Sequence, residues 1–388
     1  MKIRLLVVCL MIIVGSTLSA PVLAEDGVQG MLVYVGTYTN AKSKGIYAYR
    51  LNADTGALTP VGLVAETRNP SFVITHPNGR FLYSVSETNS TGGQPGGAVA
   101  SYTIDGRTGG LTFLNQQPSG GAGPCHLTLD REAKYLFVAN YSGGSISAFP
   151  LAGDGSIGPS TAFVQHQGSS VNPGRQKEPH AHGVYLDNSN RYLVVADLGL
   201  DRLLVYGFDN QKGTLTPNDP PFAAVKPGAG PRHFSFSADG RLGFVINELD
   251  STMTAFSFDQ STGSFKELGT VSSLPPGWTG RNSTAEVQVH PTRPVLYGSN
   301  RGHDSIHVWK IDPKSGQLTS LGIESTQGKT PRHFAIDPSG QYLLAANQDS
   351  DSIVVFKIDS ESGLLTPTGN AVEVGAPVCV AFVGSTGN

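Results

Sequence analysis

One unit recurs about every 50 residues along the 388-residue chain, and that repeat constrains the fold more than any other feature. Each copy opens with Pro or a small residue and a short alternating run, then a turn such as Asp-Gly-Arg or Pro-Ser-Gly. An apolar run follows, beginning with an aromatic residue or Leu and ending in Asn or Asp. A Gly/Asp/Ser turn, a second alternating run, a Thr-Gly or Ser-Gly turn and a Leu-Thr strand complete it. The clearest copy runs from Pro331 through Phe334 and Gly340 to the apolar run 342–347, then through 351–359 to Gly363 and Thr366. Related copies begin at Pro231, Ala181, Pro124 and Pro70, with a looser one at Thr284. Across these six copies the apolar runs end at Ser86, Asn140, Asp197, Asn247, Asn300 and Asn347.

Period-two alternation with turn punctuation, and no sustained 3.6 period, predicts four short strands per unit. The 48 Gly and 25 Pro suit that many turns. Four-stranded units of this length repeated in a ring predict an all-β fold, a seven-bladed β-propeller. The seventh apolar run is 32–37, near the start, and it has no innermost strand before it. Residues 377–382 form an innermost strand with nothing after it. The ring is therefore expected to close with three N-terminal strands and one C-terminal strand, which removes an exposed sheet edge.

Residues 1–24 have the pattern of a secretory signal peptide. Lys2 and Arg4 precede an apolar run over 5–14, and small residues lead to an expected cut after Ala24. The run falls short of the ~20 apolar residues a membrane span requires. The mature chain, 25–388, is then a single propeller domain, periplasmic or secreted, with no membrane span. Cys9 leaves with the leader. Cys125 and Cys379 are too few for a disulfide scaffold or a thiolate zinc site, and they are expected to stay unpaired because another blade separates theirs. A net charge of −3 gives no reason to expect a nucleic-acid partner.

In an antiparallel blade the start of the innermost strand lies beside the end of the second. Residues just before the first and just after the second therefore share one rim. The longest irregular segments, 89–97, 165–182 and 274–285, connect at that rim, where binding residues concentrate. The repeat supplies an internal control. Asn140, Asp197, Asn247, Asn300 and Asn347 end equivalent strands and read as turn caps. The departures are more telling: His182, Arg232, Glu248, Glu286, Arg301 and Arg332 are charged or titratable side chains in mostly consecutive blades. They form either a functional cluster or a structural ion-pair network. Strand alternation predicts that Arg232 and His233 do not both face the channel, with Arg232 facing it and His233 a packed or hydrogen-bonded support. No His-Glu-x-x-His, Walker loop or dinucleotide fingerprint occurs, so neither a metal nor a cofactor is expected.

Six segments carry a resemblance: 177–182 (Lys-Glu-Pro-His-Ala-His), 230–234 (Gly-Pro-Arg-His-Phe), 247–251 (Asn-Glu-Leu-Asp-Ser), 299–306, 331–334 and 346–350. In this order they resemble the lactonase family of seven-bladed propellers, the 6-phosphogluconolactonases of the propeller type and the related fungal carboxymuconate cyclase. The resemblance implies a catalytic cleft of a His, two Arg and a Glu, matching His182, Arg232, Glu248 and Arg301. His180, Glu286, Arg332 and Gln348 are expected to contact the substrate. The implied activity is hydrolysis of a sugar lactone, with Glu248 or His182 as base and the arginines holding the oxyanion or an anionic group. The alternatives are a non-catalytic exported binding propeller and a lactone-forming enzyme of the muconate type. Export departs from the family's cytoplasmic phosphorylated substrate, so which lactone is taken stays open.

Overall fold

The second strand of each unit shows why the blades must stack. Tyr342–Asn347, Leu242–Asn247 and Tyr135–Asn140 are buried at every position. A strand buried on both faces needs a neighbouring sheet on each side. The outermost strands, such as Leu58–Glu66 and Ser264–Ser272, are mostly exposed or half-buried. The computed structural model describes residues 30–384 except Gly92, so the expected signal peptide, 1–24, lies outside the described residues.

Seven four-stranded antiparallel sheets form the ring. We number the blades 1 (73–118), 2 (124–165), 3 (181–224), 4 (231–272), 5 (283–325), 6 (331–373) and 7 (31–66 with 377–382). Blade 7 closes the ring as expected: Val33 pairs with Phe382 and Val35 with Val380. The apolar cores lie between blades. Val33, Val35 and Phe382 of blade 7 pack on Leu344, Ala346 and Val355 of blade 6. Phe244 and Ile246 of blade 4 meet Leu296 and Trp309 of blade 5. Each fully buried side chain of this size contributes roughly 1.5–3 kcal/mol, so the seams between sheets hold the circle together.

The turn caps behave as expected. Asn140 Nδ2 donates to Ser119 O (3.2 Å), Asn300 Nδ2 to Ser273 O (2.9 Å) and Asn347 Nδ2 to Thr326 O (3.1 Å). Asp197 Oδ1 accepts the His180, Gly199 and Leu200 N–H groups. Cys125 and Cys379 are buried free thiols with no disulfide between them.

One expectation fails. The innermost strands of blades 2 to 6 each carry a register shift at their first residues, at Pro124/His126, Ala181/Gly183, Pro231/His233, Thr284/Val287 and Pro331/His333. An extra residue against one partner residue breaks the alternation locally. Arg232 and His233 therefore both border the channel mouth. The His233 ring also meets Phe72, His126 and His182 edge-on.

Candidate active site

Glu248 follows the second strand of blade 4. Its N–H donates to Gly230 O (2.7 Å), which fixes the side chain at the mouth. Gly230 sits at φ +66°, and a Cβ there would lie 2.6 Å from Leu249 Cγ. Only glycine suits that close, left-handed turn. Three guanidinium groups converge on the Glu248 carboxylate. Arg175 Nη2 lies 2.8 Å from Oε1, while Arg232 Nε and Arg301 Nη2 lie 3.1 and 2.9 Å from Oε2. Backbone carbonyls hold the arginines in turn: Arg232 Nη1 donates to Ala285 O and Arg301 Nη2 to Thr284 O, both at 2.7 Å.

Burial would raise the Glu248 pKa, but the charges of Arg301 and Arg232 outweigh it and hold the carboxyl well below its usual range. Burial pushes Arg301 down to about 9. A carboxylate so stabilised keeps its charge and takes up a proton poorly.

His182 lines the mouth from blade 3. Its Nδ1 lies 3.8 Å from Cys125 Sγ, and its ring meets Tyr141 edge-on at 5.2 Å. Burial, and after it the charge of Arg232, push its pKa well down, so it is neutral near pH 7. On the far side Tyr38 links two groups. Its hydroxyl donates to Glu87 (2.9 Å) and accepts from Arg332 Nη2 (3.0 Å), while Ser71 Oγ also donates to Glu87. Arg332 has no carboxylate within ion-pair distance among the described residues. Around the mouth, Arg175, Arg232, Arg301 and Arg332 face Glu248 and Glu87, leaving positive charge in excess.

The predicted residues thus separate. His182, Arg232, Glu248, Arg301 and Arg332 come together at the mouth. His180 sits beside them, stacked on Tyr141 at 4.5 Å with Nδ1 against Tyr141 O. Glu286 lies one layer deeper, 2.8 Å from His233 Nδ1 and 3.3 Å from His333 Nε2. Gln348 donates from Nε2 to Asp349 Oδ1, and its Oε1 is buried with no hydrogen-bond partner among the described residues. Arg175 is the member that sequence reasoning missed. It lies in the irregular segment 165–182, where no repeat marks a position. Tyr38, Glu87 and Tyr141 occupy the repeat's equivalent rim positions, so comparison of the blades points to them.

Two cavities share the channel. At the mouth a cavity of about 10 Å³, room for roughly one water, is bordered by Tyr38, His182, Arg232, His233 and Arg332. A larger one of about 310 Å³ opens from the opposite face, with Phe72, His126, Glu286 and His333 in its lining. Arg232 and Arg332 line the small one together with Glu87, and the Arg232–Glu248 pair adjoins it.

A ring that brings cationic, carboxylate and neutral imidazole groups from separate blades to one mouth defines a β-propeller of the enzymatic kind. The chain belongs to the lactonase family: the family model "Lactonase, 7-bladed beta-propeller" matches residues 32–382. It is accordingly an enzyme of the lactonase class. The chain is 36% identical over 304 residues to the 6-phosphogluconolactonase of Bacillus subtilis, covering 78% of this chain and 84% of the relative. Against the 6-phosphogluconolactonase of Formosa agariphila the values are 37% over 311 residues, 79% and 86%. The structure of the periplasmic gluconolactonase of Pseudomonas aeruginosa superposes with a TM-score of 0.85 at 35% identity, over 91% of this chain and 99% of that one. Among the described residues no helix is long and apolar enough to cross a membrane.

Proposed function

We propose that this chain hydrolyses a sugar lactone of the gluconolactone or 6-phosphogluconolactone type, and does so after export. The observation that carries the reading is the Glu248 carboxylate holding Arg175, Arg232 and Arg301 at a mouth that also presents neutral imidazoles. Water attacks the lactone carbonyl carbon, the ring C–O bond breaks, the leaving alkoxide takes a proton, and the new acid ionises. Arg232 and Arg301 stabilise the oxyanion formed on the way, as preorganised donors do. Arg332, without a carboxylate partner, binds an anionic or hydroxyl group of the substrate. Glu248 positions the arginines. It is an unsuitable base, because three cations already hold it ionised. The base is then a mouth imidazole, His182 or His233. Export rests on the leader-like residues 1–24 and on the periplasmic relative.

Proton release in a pH-stat, with neutral and phosphorylated sugar lactones, tests the reading. Hydrolysis above the spontaneous rate for at least one lactone is the expected result. A chain inert to all of them, yet retaining ligands at the mouth, would show a binding propeller instead.

A further inference from the structure

Between the two cavities lies a layer that the arginine chemistry leaves unused. His233, Glu286 and His333 come from blades 4, 5 and 6, and all three are buried. His333 Nδ1 accepts the Val380 N–H (3.3 Å), so its proton is on Nε2, which points at Glu286 Oε2. The Val287 N–H donates to Oε1 (3.2 Å). His126 Nδ1 accepts the Val184 N–H (3.3 Å) and is likewise fixed as the Nε2–H form. Glu286 therefore sits in a nest of donors and accepts from His233 Nδ1 at 2.8 Å. With Nδ1 committed, the other ring nitrogen of His233 is the free one. It is buried and meets no protein partner among the described residues, and its ring borders the one-water cavity at the mouth.

We propose that His233, oriented by Glu286, is the general base that takes the proton of the attacking water, with His182 beside it contacting the substrate. This rests on the lactonase reading above. The water O–H proton passes to His233 Nε2 as the oxygen bonds to the carbonyl carbon, and returns to the ring oxygen when the C–O bond breaks. A carboxylate behind the far nitrogen fixes the tautomer and compensates the charge that forms on the ring, as in other histidine-based hydrolytic sites. His182 lacks that support: its Nδ1 faces a thiol, and the carboxylate nearest it is committed to arginines. Glu286 is thus a positioning residue, and His233 the catalytic one.

The groups facing the pair are Arg232, His126, His182 and His333, with Tyr185, Cys125 and Cys379 at its edge. Burial pushes the Glu286 carboxyl up to about 8 against the pull of Arg232, whereas burial and then Arg232 push His233 down. The pair consequently gains one proton near pH 8, and kcat should fall on the acid side with that midpoint.

The test compares His233→Gln and Glu286→Gln with wild type across pH on a lactone that wild type hydrolyses, with folding checked by the β-sheet spectrum. His233→Gln should lose roughly 10²–10⁴-fold in kcat with KM little changed, the usual range for a general base. Glu286→Gln should lose rate as well, and its acid limb should leave the region of pH 8. Nitrogen NMR of the wild-type His233 ring, which needs no variant to fold, should show an unprotonated Nε2 and a protonated Nδ1 above pH 8. Wild-type rates and an unmoved pH profile in both variants, or a protonated Nε2 in wild type, overturns the assignment and leaves the lactonase reading standing. A wild-type chain inert to every lactone overturns that reading and this one together.

Discussion

Two glutamates in one channel, one layer apart, live in opposite environments. Glu248 is pinned by Arg175, Arg232 and Arg301 and stays an anion. Glu286 lies beside imidazoles with no guanidinium within ion-pair distance among the described residues, and burial drives it up to about 8. Both are buried, so burial alone does not decide their state. The number of cations each can reach does. Under the proposed mechanism the upper carboxylate organises positive charge for a carbonyl oxygen and the lower one orients the base, so the two roles would be separated by depth.

The sharpest way to break this comparison is to remove a cation. Arg232→Ala should lower lactone turnover by roughly 10²–10³-fold, the cost of losing one oxyanion donor, while the sheet spectrum stays native. Steady-state kinetics would check it, and near wild-type turnover would remove Arg232 from the site.

Stability separates the two carboxyls next. Glu248→Gln leaves three guanidinium groups without their counter-charge and should cost on the order of 3–5 kcal/mol in denaturant unfolding. Glu286→Gln, which replaces a group already protonated below pH 8, should cost far less. Equal losses would erase the distinction.

The pH slope sharpens it further. The folded-state pKa of Glu286 is raised above its unfolded value of 4.5, so between about 4.5 and 8 the folded chain holds a proton that the unfolded chain releases. Its contribution therefore lowers stability as pH rises through that window, by up to ~1.4 kcal/mol per pH unit. Glu248 has the opposite sign: its depressed pKa stabilises above its unfolded value, and that contribution is lost as pH falls below it. The buried imidazoles, pushed down, contribute the opposite slope below about pH 6.5. The difference in unfolding free energy between wild type and Glu286→Gln from pH 4 to 9 should therefore carry the Glu286 slope.

The smallest effect belongs to Arg175, whose side chain is 43% exposed in its pair with Glu248. Arg175→Ala should change stability by about 0–1 kcal/mol, as exposed pairs do, and act on KM a few-fold more than on kcat.

The ring itself was legible because its signal is periodic. Turns at fixed offsets and period-two runs identified the blades, the closure by 377–382, and the rim at which His182, Arg232, Glu248 and Arg301 meet. What escaped was aperiodic. The extra residue at Pro231/His233 leaves no mark in the alternation, so His233 read as packed support when its ring borders the mouth. Arg175 reaches Glu248 across 73 positions from an irregular segment, and no internal copy exists to align it. Gln348 held an equivalent rim position, yet a short helical turn over Gln348–Ser350 draws its amide to Asp349.

Carbon NMR titration of the Glu248 and Glu286 side-chain carboxyls, assigned through the two Gln variants, tests the account most directly. Glu248 should stay ionised down to the lowest pH at which the ring remains folded, and Glu286 should titrate near 8. Two carboxyls titrating together in the ordinary range, or in the reverse order, would contradict it.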